Sequence, residues 1–100
     1  MPSTVRYRKA AQAEVSDIAE YLEARRPGFG RKFIEELRRV EALLRDNPAL
    51  YQPVNGDIRR AVLRRFPYGV FYVVDGDQVF VLACFHLRRG PRSYLDLIAR

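Results

Sequence analysis

The sequence predicts an α+β domain in which a first strand and an antiparallel helix hairpin precede a three-stranded antiparallel sheet. Three observations carry this. Residues 4–8 alternate apolar and polar side chains at period two, two successive segments repeat their apolar residues at spacings of three and four, and residues 57–86 are rich in strand formers broken by Asp75-Gly76.

The first strand is short, with Val5 and Tyr7 on one face and charges on the other. From Ala11 the stripe Ala11, Val15, Ile18, Ala19 and Leu22 predicts a helix over 9–25, with Glu14, Asp17, Glu20 and Glu23 on its remaining faces. Pro27-Gly28 ends it. A second stripe, Phe29, Phe33, Leu37, Val40 and Leu44, runs to about Asp46, where Asn47-Pro48 stops the helix. Helices joined by so short a link form an antiparallel hairpin, and neither can hide its stripe alone. Strands at 57–66, 68–74 and 78–86 supply the apolar surface they need, giving two layers. Residues 49–56 read as an ordered loop. Tyr94, Leu95 and Ile98 recur at helical spacing and predict a short C-terminal helix after Gly90-Pro91.

One hundred residues with 48% hydrophobic composition suit a single domain, residues 1–100, around one core. The net charge is +6, and sixteen of the eighteen cations are Arg. Arginine forms two-pronged hydrogen bonds to carboxylate or phosphate and stays charged when partly buried, so this surface suits an anionic partner. The bias concentrates in the strand half: residues 1–50 carry ten cations and eight anions, residues 51–100 eight and four. One cysteine, Cys84, excludes an internal disulfide and reads as a small core residue of a protein from a reducing compartment. The first residues lack the apolar stretch of a signal peptide, and the longest apolar run, 79–85, is too short to span a bilayer, so a cytoplasmic protein is expected. One Cys and one His make no metal cluster, and Gly28 and Gly30 lack the preceding strand of a phosphate loop; no cofactor is expected.

Three arginine pairs bracket the strands: Arg59-Arg60, Arg64-Arg65 and Arg88-Arg89. Each pair alone is ordinary solvated charge, but three on neighbouring elements mark candidates for binding an anionic target. Tyr51, Tyr68 and Tyr72 lie near them in sequence. They read either as half-buried sheet residues or as platforms for stacking single-stranded nucleic acid, which would make the chain a nucleic-acid-binding module.

The order of elements, with Arg64-Arg65-Phe66-Pro67-Tyr68, the turn Asp75-Gly76-Asp77 and the strand ending Phe85-His86-Leu87-Arg88-Arg89, resembles the RelE/ParE superfamily of toxins from type II toxin–antitoxin modules. The similarity spans nearly the whole chain, including Ile18, Tyr21 and Leu22 and the Asn47-Pro48 helix stop. Within the superfamily the chain looks more like the ParE branch. That resemblance implies a cytoplasmic toxin of the plasmid-stabilization kind, an inhibitor of DNA gyrase that is not an enzyme, neutralised by a cognate ParD-like antitoxin. The RelE branch implies instead a ribosome-dependent endoribonuclease.

RNA cleavage through the 2′-hydroxyl needs a base, a cation to stabilise the phosphorane and an acid for the leaving oxygen. Arg64, Arg65 and Arg88 supply positive charge but no base. His86 is the sole histidine and the one residue this chemistry cannot lose, with Tyr94 available to stack or to act as a weak acid. The competing reading makes His86 a structural residue closing the last strand, on one face with Phe80, Leu82 and Cys84 at period two. RelE-type nucleases resemble one another in carrying lysines before and within the second strand, whereas both lysines here, Lys9 and Lys32, fall in the helical half. That departure favours the binding toxin.

Overall fold

A computed structural model of the chain describes residues 3–88, which form two helices and a five-stranded sheet. The elements follow in the order β1 (Thr4–Tyr7), α1 (Lys9–Arg25), α2 (Phe29–Asp46), β2 (Pro53–Asn55), β3 (Ile58–Val62), β4 (Tyr68–Asp75) and β5 (Gln78–His86). In space the strands run β1-β5-β4-β3-β2. Strands β2 to β5 are antiparallel, while β1 lies parallel to β5 with Thr4 opposite Gln78 and Tyr7 opposite Val81. The α+β class and both helix ranges match the sequence reading; the C-terminal helix predicted around Tyr94 lies outside the described residues.

Two strand assignments differ. Residues 53–55, expected within a loop, form an edge strand in which Pro53 pairs with Arg59 and Asn55 with Ile58. A three-residue strand that begins with proline carries no periodicity to read, and an edge is where proline is tolerated. The strand expected over 57–66 stops at Val62. Beyond it Arg65 takes a positive φ of 69° and Pro67 has no N–H, so neither continues a ladder.

The helices cover one sheet face. Phe33, Leu37, Val40 and Leu44 of α2 are buried with Ala61, Val70, Tyr72, Val79, Val81 and Cys84 from the strands. From α1 only Ala11 is fully buried; Val15, Ile18, Ala19 and Leu22 pack at the margin of this core. Ile58, Phe71, Leu82, Ala83 and Phe85 form a second apolar cluster on the other sheet face, where Phe71 and Phe85 stack with centroids 4.2 Å apart.

The hairpin between helices depends on glycine at two places. Gly28 takes φ 91°, a left-handed conformation that costs other residues about 1–2 kcal/mol. Gly30 lies so close to α1 that a Cβ there would sit 2.6 Å from the Ala19 carbonyl oxygen. The Glu23 carboxylate accepts the N–H groups of Gly28 at 2.9 Å and Gly30 at 3.1 Å, so α1 satisfies donors at the start of α2. At the far end of α2, buried Glu41 accepts the Tyr7 hydroxyl at 2.5 Å and Arg38 Nη1 at 3.1 Å, tying β1 to α2. Burial, then the hydrogen bond to Glu41, raises the Tyr7 phenol above its ordinary pKa.

Candidate functional site

The three arginine pairs go to different places. Arg59 turns to the helix side, where its Nη1 donates to the carbonyl oxygen of Tyr51 at 2.6 Å, so this guanidinium pins the loop before β2. Arg60, one residue on, faces the opposite side beside Gly69, where a Cβ would lie 3.2 Å from Arg60 Cγ. Arg88 is exposed after the end of β5, and Arg89 lies outside the described residues, as does Tyr94.

Arg64 and Arg65 form the exposed tip of the β3–β4 connection, held between two buried anchors, Leu63 and Phe66. Phe66 meets Phe29 and Phe33 edge-to-face, with centroids 6.1 and 5.8 Å apart. Leu63 N–H donates to the Tyr68 carbonyl oxygen and Tyr68 N–H to that of Phe66, closing the connection on itself. The Glu36 carboxylate of α2 then accepts the Arg64 main-chain N–H at 2.5 Å while Arg39 grips it from the side, Nε at 2.7 Å and Nη2 at 2.8 Å. These bonds, Arg39 first, hold the Glu36 carboxyl below its ordinary pKa against the opposing effect of burial. A groove of about 610 Å³ results, lined by this loop, Arg26 just past the end of α1 and one side of α2. Arg26, Lys32, Arg39, Arg64 and Arg65 contribute its positive charge, and Phe29 and Phe66 its apolar part.

Sequence reading singled out Arg64 and Arg65 but missed Arg26, Arg39 and Glu36. Arg39 and Glu36 sit three apart on one helix, a spacing that reads as an ordinary surface pair. Only the tertiary contact of Glu36 with a loop 28 residues on gives the pair its meaning.

His86 lies elsewhere, in a shallow cleft of about 340 Å³ with Glu14, Asp17, Ile18 and Tyr68, none of which lines the arginine groove. Its company differs from that expected. Phe71 pairs with Ala83 but Tyr72 with Val81, so Leu82 is an extra residue in β5. This bulge shifts the alternation by one. His86 therefore shares its face with Val79, Val81 and Cys84 on the helix side, whereas Phe80 and Leu82 belong to the opposite cluster. Its ring lies 5.4 Å from that of Tyr68, and its Nδ1 accepts the Arg88 N–H at 3.1 Å. A neutral imidazole accepting at Nδ1 carries its proton on Nε2 and can only donate there.

Glu14, expected on an outer helix face, accepts the Cys84 N–H at 3.1 Å and so extends the edge of β5 past the end of β1. Burial, reinforced by the Glu14 charge, pushes the Cys84 thiol up to about 12, which makes it inert as a nucleophile at neutral pH. The tyrosines offer little open ring surface: Tyr72 is fully buried with its hydroxyl on the Pro48 carbonyl oxygen, Tyr68 is buried, and Tyr51 is half-buried. Among the described residues no group of three His, Cys, Asp or Glu side chains is placed to hold a metal, and no helix is long and apolar enough to cross a membrane.

Comparison with known proteins adds to this geometry. A family model described as the ParE toxin of the type II toxin–antitoxin system parDE matches residues 5–91. No curated protein matches the sequence. Solved structures share the fold at low identity. The chromosomal ParDE toxin–antitoxin system from P. aeruginosa superposes with a TM-score of 0.73 at 15% identity, over 84% of this chain and 95% of that one. A mutant of the E. coli toxin RelE in the free state gives 0.72 at 17% identity, over 100% and 98%. A chain of the toxin–antitoxin complex RelBE2 from Mycobacterium tuberculosis gives 0.63 at 20% identity, over 86% and 99%.

Proposed function

Since this chain belongs to the ParE toxin family of type II toxin–antitoxin systems, we propose that it arrests bacterial growth by binding and poisoning DNA gyrase in the cytoplasm, and that a cognate ParD-like antitoxin holds it inactive. The observation that carries a binding mechanism over a nuclease is the placement of His86. Its Nδ1 accepts the Arg88 N–H at 3.1 Å, so that nitrogen is not open to take a proton from a 2′-hydroxyl. Its cleft shares no lining residue with the groove of Arg64 and Arg65, so those two guanidinium groups are not gathered around the histidine. A toxin that acts by binding needs neither condition.

The test is to induce the protein alone in a bacterium and score the DNA damage response and in-frame cleavage of ribosome-bound mRNA. We expect growth arrest with a damage response, reversed by co-expression of the antitoxin from the neighbouring reading frame. In-frame mRNA fragments without a damage response would replace this reading with the endoribonuclease. Normal growth with folded, soluble protein would leave a non-toxic nucleic-acid-binding module.

A further inference from the structure

The sheet face turned away from the helices carries Ile58, Phe71, Leu82, Ala83 and Phe85, and every described member of this cluster belongs to a strand. An antiparallel sheet with one face in water alternates apolar and polar residues, so that the wet face is polar. Here the face opposite the helices is apolar, and its middle is dry. Phe71 is 1% exposed, Ala83 0% and Phe85 6%, whereas Val62, at the margin of the same face, is 42% exposed. The stacking of Phe71 on Phe85 shields one side of each ring and leaves the outer surface of the strands to be covered. Burial this complete requires a further layer over the middle of the sheet.

The path of the chain after β5 points to the segment that supplies this layer. Leu87 N–H donates to the Pro67 carbonyl oxygen at 2.9 Å. Its side chain lies across Gly69, where a Cβ would sit 2.9 Å from Leu87 Cδ2 and 3.2 Å from Phe71 Cε1. Leu87 thus carries the chain onto the second face beside Phe71. Gly90-Pro91 follows as a turn signal, and then Tyr94, Leu95, Leu97 and Ile98 at helical spacings. Helical from Arg92, the chain to Arg100 would reach about 14 Å, enough to cross three adjacent strands, which are about 10 Å wide.

We propose that residues 89–100 fold back over the second sheet face, seating Tyr94, Leu95 and Ile98 on Phe71, Leu82, Ala83 and Phe85. The occupant is this chain's own segment and not a second copy, because the low exposures of Phe71 and Ala83 are those of one chain alone. The cover withdraws the stacked pair Phe71 and Phe85 from any base that might use it as a platform. It also makes the C-terminal residues part of the core and not a free arm. The inference goes beyond the proposed function and does not depend on the target of the toxin.

The chain contains no tryptophan, so Tyr94→Trp places a single fluorescent reporter in the segment, and Tyr21→Trp, at a 53% exposed position on α1, is its control. We expect the Tyr94→Trp protein to emit at shorter wavelength than the control and to be quenched several-fold less by acrylamide, at every protein concentration. Adding Leu95→Asp and Ile98→Asp should move its emission to that of the control and raise the binding of anilinonaphthalene sulfonate, a dye that reports exposed apolar surface. A nitroxide on Val62→Cys, on the second face, should broaden the amide signals of residues 92–98, and one on Tyr21→Cys, on the helix side, should not; buried Cys84 takes no label. Emission and quenching equal to the control would overturn the inference, as would broadening from the helix side alone. A short-wavelength emission lost on dilution would assign the face to a second copy and overturn it equally. Should the doubly substituted chain fail to fold, the nitroxide pair still decides. None of these readouts uses growth arrest, so failure of the toxin reading leaves them standing, and their failure leaves the toxin reading standing.

Discussion

The Glu36 carboxylate accepts the main-chain N–H of Arg64 at 2.5 Å, joining the middle of α2 to the tip of the β3–β4 loop across 28 residues of sequence. Because Arg39 engages the same carboxylate, one acidic side chain serves two donors on different elements. Glu36→Gln should lower stability by about 1.5–3 kcal/mol, the usual range for hydrogen bonds to a charged group. Its pH dependence follows from the lowered folded pKa of Glu36. The stabilisation is complete above the ordinary Glu value of about 4.3 and is lost as pH falls through the lower folded value. Urea midpoints measured from pH 6 downward should fall less steeply in Glu36→Gln than in the wild type; parallel curves would show that the carboxylate does not carry the latch.

Arg65 pairs a left-handed backbone with an exposed guanidinium, so shape and charge oppose each other at that position. Arg65→Gly should relieve backbone strain and raise stability by up to about 1 kcal/mol, partly offset by the greater freedom of glycine in the unfolded chain. The same change removes a cation from the groove and should weaken growth arrest. Thermal unfolding and an induction assay on one variant read both effects, and a variant that loses stability would contradict the strain.

Phe33 and Leu37 are 0% and 3% exposed, with Phe33 edge-on to both Phe66 and Tyr68. Phe33→Ala should cost about 3–5 kcal/mol and Leu37→Ala about 2–5 kcal/mol. Tyr21, 53% exposed on α1, is the control and should change little on replacement by Ala. Chemical denaturation distinguishes the three.

Gly30→Ala brings a methyl group to 2.6 Å from the Ala19 carbonyl oxygen, a backbone atom that cannot swing aside. The helices must separate locally, at a cost of about 1–3 kcal/mol. An unchanged denaturation midpoint would show that the hairpin yields freely.

His86→Gln should retain most growth arrest, since glutamine keeps a polar group at the end of β5 and a binding toxin transfers no proton. Reversal of Arg64 and Arg65 to Glu should abolish it. Loss of toxicity in a well-folded His86→Gln protein, with mRNA fragments in the wild type, would reverse this assignment.

Both helices were legible because their apolar stripes are long and sharply ended, by Pro27-Gly28 and by Asn47-Pro48. The β4–β5 hairpin was legible for the same reason, with Asp75-Gly76 between two runs of strand formers. The company of His86 was not, because one extra residue at Leu82 inverts the faces of everything after it and leaves no mark in a uniformly apolar strand. The groove was half legible. Arg64 and Arg65 stand out by composition, but their partners Arg26, Arg39 and Glu36 are ordinary helix-surface residues until the chain folds.

The parallel pairing of β1 with β5 sets the order in which this molecule can be finished. Thr4 must wait for Gln78 before either has its neighbour, so β1 can dock only after a strand far along the chain is in place. Until then β5 presents an unpaired edge, and Glu41 lacks the Tyr7 hydroxyl that it accepts in the folded state. A nascent chain is thus structurally incomplete until β5 has been made. A protein that harms its host on completion gains from this an interval in which a waiting neutraliser can meet it first.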